Sequence, residues 1–195
     1  MTETPMPLAE TASIFNETLL SQTVRRSADD ATRLVLLENS LMEATQTVVD
    51  IYSRYLFESA VIEARKTHIP SAQELNGFML DAQEQSYGDG LSKDARHPSM
   101  WVCKSHYYST GLHFYNFPYA FGLLFGLGVF VQFQKEGAAF VPKYDKLLAS
   151  CGSDTVRNVA ASVGIDVNSV DYWRSALDVV RGEINEFLAL SEKKC

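Results

Sequence analysis

The stretch "RLVLLENSLMEATQTVVDIYSRYLFESAVIEARK", Arg33 to Lys66, decides the fold class. Leu34, Leu37, Leu41, Thr45, Val48, Tyr52, Tyr55 and Phe57 lay an apolar stripe along it at helical spacing. It contains no glycine or proline, so nothing in the residues interrupts a helix. The spacing predicts one continuous helical rod from about Asp30 to Lys66, ended by "THIP". A rod of that kind needs helical partners, and the rest of the chain supplies them.

Upstream, residues 7 to 26 read as a helix with Pro7 in its first turn. Downstream, Ser71 and Glu74 have the spacing of a capping box, which starts a helix over 71–86. Tyr87 to Gly111 is a long irregular stretch with a short strand expected near Trp101–Lys104; its length and its Trp and Tyr content point to function. An apolar helix follows over 114–135, then shorter ones near 142–150, 154–163 and 169–190. Gly152 and Gly164 read as helix stops, with Ser153 and Ser169 as the caps that follow. The expected architecture is a single all-α domain over residues 1–195, a helical bundle without internal repeats.

Composition narrows the function. Hydrophobic residues make up 46% of the 195 and charged residues 21%, an ordinary globular balance. The net charge of -7, with basic pairs no longer than Arg25-Arg26 and Lys193-Lys194, argues against nucleic acid as a partner. Cys103, Cys151 and Cys195 are odd in number and far apart, which fits a reduced cytoplasmic protein. "FPYAFGLLFGLGVFVQF", Phe117 to Phe133, is apolar for about 15 residues, short of the roughly 20 that a membrane span needs. Gly122 and Gly126 have the spacing that lets helices approach closely. The expectation is a buried central helix and no membrane partner.

Two constellations could carry chemistry. In "PLAETASIFNE", Pro7 to Glu17, a helix puts Glu10, Ser13 and Glu17 on one face. Carboxylates among Leu8, Ile14 and Phe15 need a cation to offset desolvation. Glu10 could be a third zinc ligand, with a second carboxylate orienting the site; alternatively Glu10 and Glu17 pair with Arg or Lys. The second constellation is "HYYSTGLHFYNFPYAFG", which carries His106, Tyr107, Tyr108, His113, Tyr115 and Tyr119. Their hydroxyls and imidazoles could bind a peptide or stabilise an oxyanion, or pack as an aromatic core. His68 and His97 are expected at the surface, and no GxGxxG, P-loop or GxSxG occurs.

"AETASIFNE", the long helix, "MWVCKSHYYSTGLHFYNFPYAFGLLFGLGVFVQFQKEG" and "YDKLLASCGSDT" together resemble the C-terminal part of oligoendopeptidase F, of the thimet-type zinc oligopeptidases. The resemblance runs from about Leu8 to Leu190. It implies hydrolysis of short peptides, with Glu10 as a zinc ligand and Ser13 and Glu17 supporting it. It implies that His106, Tyr115 and Tyr119 hold the reacting carbonyl and that Tyr107, Tyr108 and His113 contact substrate. The family's HExxH does not occur here: none of His68, His97, His106 or His113 lies in one. The resemblance puts residue 1 just after where that helix would end. The chain alone is therefore expected to hold zinc weakly and to be inactive, either completed by a partner bearing HExxH or an excised piece. A non-catalytic peptide-binding remnant is the alternative, and exposed apolar surface is expected to favour self-association.

Overall fold

In a computed structural model of the chain, the structure describes Leu8 and residues 11–193. The elements are α1 (Thr11–Ser27), α2 (Asp30–Ala44), a π-helical segment (Thr45–Asp50), α3 (Ile51–Ala64), α4 (Ala72–Tyr87), α5 (Phe117–Glu136), α6 (Val141–Ser150), α7 (Val156–Ala161) and α8 (Val170–Glu192). Among the described residues there is no strand, and the fold is all-α. They group into two compact units: residues 1–44 with 121–195, and residues 45–120.

The larger unit is built on aromatic packing. Phe15 of α1 lies against Phe133 at 5.7 Å and Tyr144 at 4.4 Å between ring centroids. Phe125, Val129 and Phe130 of α5 join Phe140, Leu147, Val159 and Tyr172 in one buried core. The expected close approach at glycine is real at Gly126, where a methyl group would stand 2.6 Å from Ile14. Gly128 is tighter still: a methyl there would meet the Tyr172 ring at 2.3 Å. The Tyr172 hydroxyl donates to the Phe125 carbonyl at 2.9 Å, and burial raises its pKa. By length and composition the helical stretch 117–150 would suffice to cross a membrane, yet its Phe125–Phe130 segment is buried inside this unit.

Charge closes the other side of the same unit. Arg25 on α1, only 6% exposed, donates to Glu183 on α8 at 2.7 Å. Ser40 on α2 donates to the other Glu183 oxygen at 2.7 Å, and Arg33 pairs with Glu186. A buried ion pair of this kind adds little over an apolar pair but is costly to break.

The smaller unit departs most from the sequence reading. The rod expected over 30–66 is helical to Ala64, but its hydrogen bonding changes to π over Thr45–Asp50. A π segment takes up an extra residue and rotates the faces that follow. Tyr52 and Tyr55, expected on the buried stripe, are therefore half exposed, while Ile51, Ser53 and Phe57 are buried. α3 packs along α4 around Phe57, Met79 and Ala82, with Phe78, Trp101 and Tyr107 against them.

The Ser71–Glu74 capping box forms as expected, and its hydrogen bonds hold the Glu74 carboxyl down at about 2. The strand expected near Trp101–Lys104 is instead a 3-10 turn over Met100–Cys103. That stretch has no neighbouring strand to pair with, and local i→i+3 bonds satisfy it. Buried Gln83 pins the irregular segment by bonding both the N–H and the C=O of His97 at 3.0 Å. Trp101 adds a second tie, donating to Asn76 at 2.9 Å. Gly152 and Gly164 end helices at positive φ, as read, while α7 is capped by Thr155 rather than Ser153.

Candidate functional site

The site in the smaller unit starts from α3. Arg54 and Glu58 are four residues apart and so share a face. Arg54 pairs with the carboxylate of Asp50, one turn earlier, and the Tyr87 hydroxyl donates to that same Asp50 at 3.1 Å. Burial beside this anion pushes the Tyr87 phenol up to about 12. Glu58 instead accepts the backbone N–H of Phe114 at 2.7 Å. Phe114 is the single non-glycine residue with positive φ, +51°, among the described residues. Backbone strain of this kind collects at working sites.

On this support the aromatic run forms a line of rings. A 3-10 turn over Ser105–Tyr108 carries His106 and Tyr107. Tyr107 packs on Phe57 at 5.1 Å, and His106 lies 4.3 Å from Tyr107 and 5.6 Å from Tyr115. Tyr119 continues the line at 6.1 Å, its hydroxyl donating to that of Tyr115 at 3.3 Å. The three residues singled out for carbonyl chemistry, His106, Tyr115 and Tyr119, are thus brought together. The other three diverge: the Tyr107 hydroxyl is buried, whereas Tyr108 and His113 are exposed, with Tyr108 donating to the Val102 carbonyl at 3.3 Å.

The electrostatics favour a neutral imidazole. Burial, and next the nearby Arg54 cation, push the His106 pKa below its ordinary 6.5, while Glu58 opposes them. Burial raises Tyr107 well above the ordinary phenol. His106 Nε2, the Tyr107 hydroxyl, Asn116 Oδ1 and Arg54 Nε are buried without a hydrogen-bond partner. Such groups are costly to leave unmet, so this corner holds polar capacity that a ligand could use.

Sequence reasoning passed over Asp50, Arg54, Glu58 and Asn116. The i, i+4 spacing of Asp50, Arg54 and Glu58 was a usable signal, but it reads like any surface ion pair until the loop is in place.

The zinc constellation fares differently. Glu10 lies outside the described residues. Ser13 and Glu17 are exposed on α1, whose buried residues are Thr11, Phe15 and Arg25. Among the described residues no cluster of three or more His, Cys, Asp or Glu is placed to hold a metal ion. His68 and His97 are exposed, as expected.

No family model matches the chain. Its fold is that of a peptidase structure: the crystal structure of oligoendopeptidase-F from Enterococcus faecium superposes with a TM-score of 0.85 at 21% identity, over 96% of this chain and 36% of that one. The oligoendopeptidase F homolog of Lactococcus lactis subsp. lactis is 27% identical over 191 residues, 97% of this chain and 31% of that protein. The group B oligopeptidase PepB of Streptococcus agalactiae is 27% identical over 190 residues, 95% of this chain and 31% of its own length. The chain is therefore oligoendopeptidase F-like, resembling the C-terminal part of such a peptidase and spanning about a third of the length of the curated relatives it matches.

Proposed function

We propose that this chain is the substrate-gripping portion of a zinc-dependent endopeptidase acting on short peptides. The observation that carries the reading is the convergence of His106, Tyr115 and Tyr119 in one small unit of a chain whose relatives are named oligoendopeptidases. A neutral imidazole and two phenols can each donate a hydrogen bond to a peptide carbonyl, and most strongly as it becomes an oxyanion. Tyr107, Tyr108 and His113 would contact the rest of the peptide, and Glu10 would offer one carboxylate to the metal, with Ser13 and Glu17 beside it in sequence.

Among the described residues, which do not include Glu10, no group of three or more His, Cys, Asp or Glu is gathered. On this reading a zinc-bearing HExxH segment comes from outside these 195 residues, and the chain alone binds peptide without cleaving it. The localisation that fits is cytoplasmic, with neither nucleic acid nor membrane as partner, and apolar surface left open would promote self-association.

Elemental analysis of the purified chain and of Glu10→Ala tests this. Well under one zinc per chain, unchanged by the substitution, is the expected result. One zinc per chain that disappears in Glu10→Ala would overturn the claim that the site is incomplete. A second reading, a peptide-binding module with no catalytic partner, is favoured by the same buried polar corner. Peptide binding that survives chelation and never yields products with any added HExxH segment would select it.

A further inference from the structure

We infer that Glu58 is a positioning residue: its carboxylate, by accepting the Phe114 amide proton, fixes the backbone turn that sets Tyr115 and Tyr119 beside His106. Three observations meet at this point. The Phe114 N–H to Glu58 distance is 2.7 Å, short enough for a charge-assisted bond. Phe114 holds a φ of +51°, which an L side chain adopts only when its surroundings impose it. Tyr115, the next residue, faces His106 at 5.6 Å and Tyr119 at 6.1 Å, so a turn released at 114 displaces the line of rings.

The surroundings leave Glu58 to this task. Arg54, one turn away, is engaged by Asp50, which also accepts from Tyr87. The Phe114 ring is held separately against Tyr55 at 5.1 Å, so the residue is fixed at both its amide and its side chain. The carboxylate also lies close enough to His106 to oppose the depressing effect of burial and Arg54 on that imidazole. One side chain on α3 thus holds the backbone under the tyrosines and places a carboxylate near the histidine. The functional consequence rests on the peptide-site reading above; the geometric claim does not.

The test uses the whole chain labelled with 15N and 3-fluorotyrosine, as parent, Glu58→Gln and Glu58→Ala. Gln keeps an acceptor of the same shape and loses the charge; Ala loses both. In Glu58→Ala the Phe114 amide should exchange at least about tenfold faster, the loss of one charge-assisted bond, and the Tyr115 and Tyr119 fluorine signals should move. Glu58→Gln should restore the tyrosine signals and shift the Phe114 proton upfield. Unchanged exchange and unchanged tyrosine signals in a folded Glu58→Ala would overturn the inference. If Glu58→Ala does not fold, an unmoved Phe114 proton in Glu58→Gln overturns it instead. A fluorescein-labelled glycine-alanine octapeptide added to the same samples separates the two claims: failure of the parent to bind rejects the peptide site, while the amide and tyrosine signals still decide the role of Glu58.

Discussion

The two units differ in where their buried polar groups lie. The larger one ties its helices by paired groups, Arg25 to Glu183, Ser40 to the same carboxylate and Tyr172 to a carbonyl inside an aromatic core, although Thr11 Oγ1, the Tyr144 hydroxyl and two Arg25 nitrogens stay buried without a hydrogen-bond partner. The smaller one leaves His106, Tyr107, Asn116 and Arg54 with buried polar atoms unmet, beside the line of rings and the strained Phe114. Pairing across helices serves stability, and on the proposed reading the unmet groups beside the rings meet a ligand. Substitutions at Glu183 and Gly128 should therefore cost folding, and those at His106 and Tyr119 should cost ligand contact.

The largest expected effect is at the buried ion pair. Glu183→Ala leaves the Arg25 guanidinium without its closest carboxylate and should cost about 3–5 kcal/mol, read as a lower urea midpoint. A loss under 1 kcal/mol would mean that Glu186, 3.6 Å from Arg25, takes over the pairing. Gly128→Ala comes next, at about 1–3 kcal/mol from overpacking against Tyr172, measured the same way. In the smaller unit Ser71→Ala removes the capping box of α4 and should cost about 1 kcal/mol.

A pH experiment probes the contrast from the other side. The His106 pKa is held below 6.5 in the folded chain, so the unfolded chain takes up the proton first. Its contribution to stability is complete above pH 6.5 and is lost as pH falls below that value. Urea titrations at pH 7.5 and 5.5 should show the parent losing more stability on acidification than His106→Gln. Equal losses would remove the claim that burial holds the imidazole neutral.

Much of this contrast could be read in the residues. The stripe from Leu34 to Phe57, the Ser71–Glu74 box and the glycine stops gave the helices, because those signals act within a turn or two of the chain. The aromatic run gave six candidates, from which the resemblance singled out His106, Tyr115 and Tyr119. Two things escaped. The π segment at Thr45–Asp50 leaves no composition mark, since Thr, Gln and Val also suit an α-helix, and it turned Tyr52 and Tyr55 outward. Glu58 escaped because its partner is a backbone amide 56 residues away, a pairing that only the folded loop creates. Glu17 is exposed although it neighbours apolar residues in sequence, because Thr11 and Phe15 form the buried face of α1 and Glu17 lies off it.

The most direct test of the account is equilibrium binding of a labelled octapeptide by the parent chain, His106→Ala and Tyr119→Phe, followed by fluorescence anisotropy. Tyr119→Phe removes one hydroxyl from a half-exposed ring and should change stability by no more than about 0.5 kcal/mol. The account predicts measurable binding by the parent, weakened at least about fivefold in each variant, one lost hydrogen bond's worth, with the urea midpoint of Tyr119→Phe unmoved. Parent-like affinity in both variants would contradict it, and the line of rings would then be packing alone.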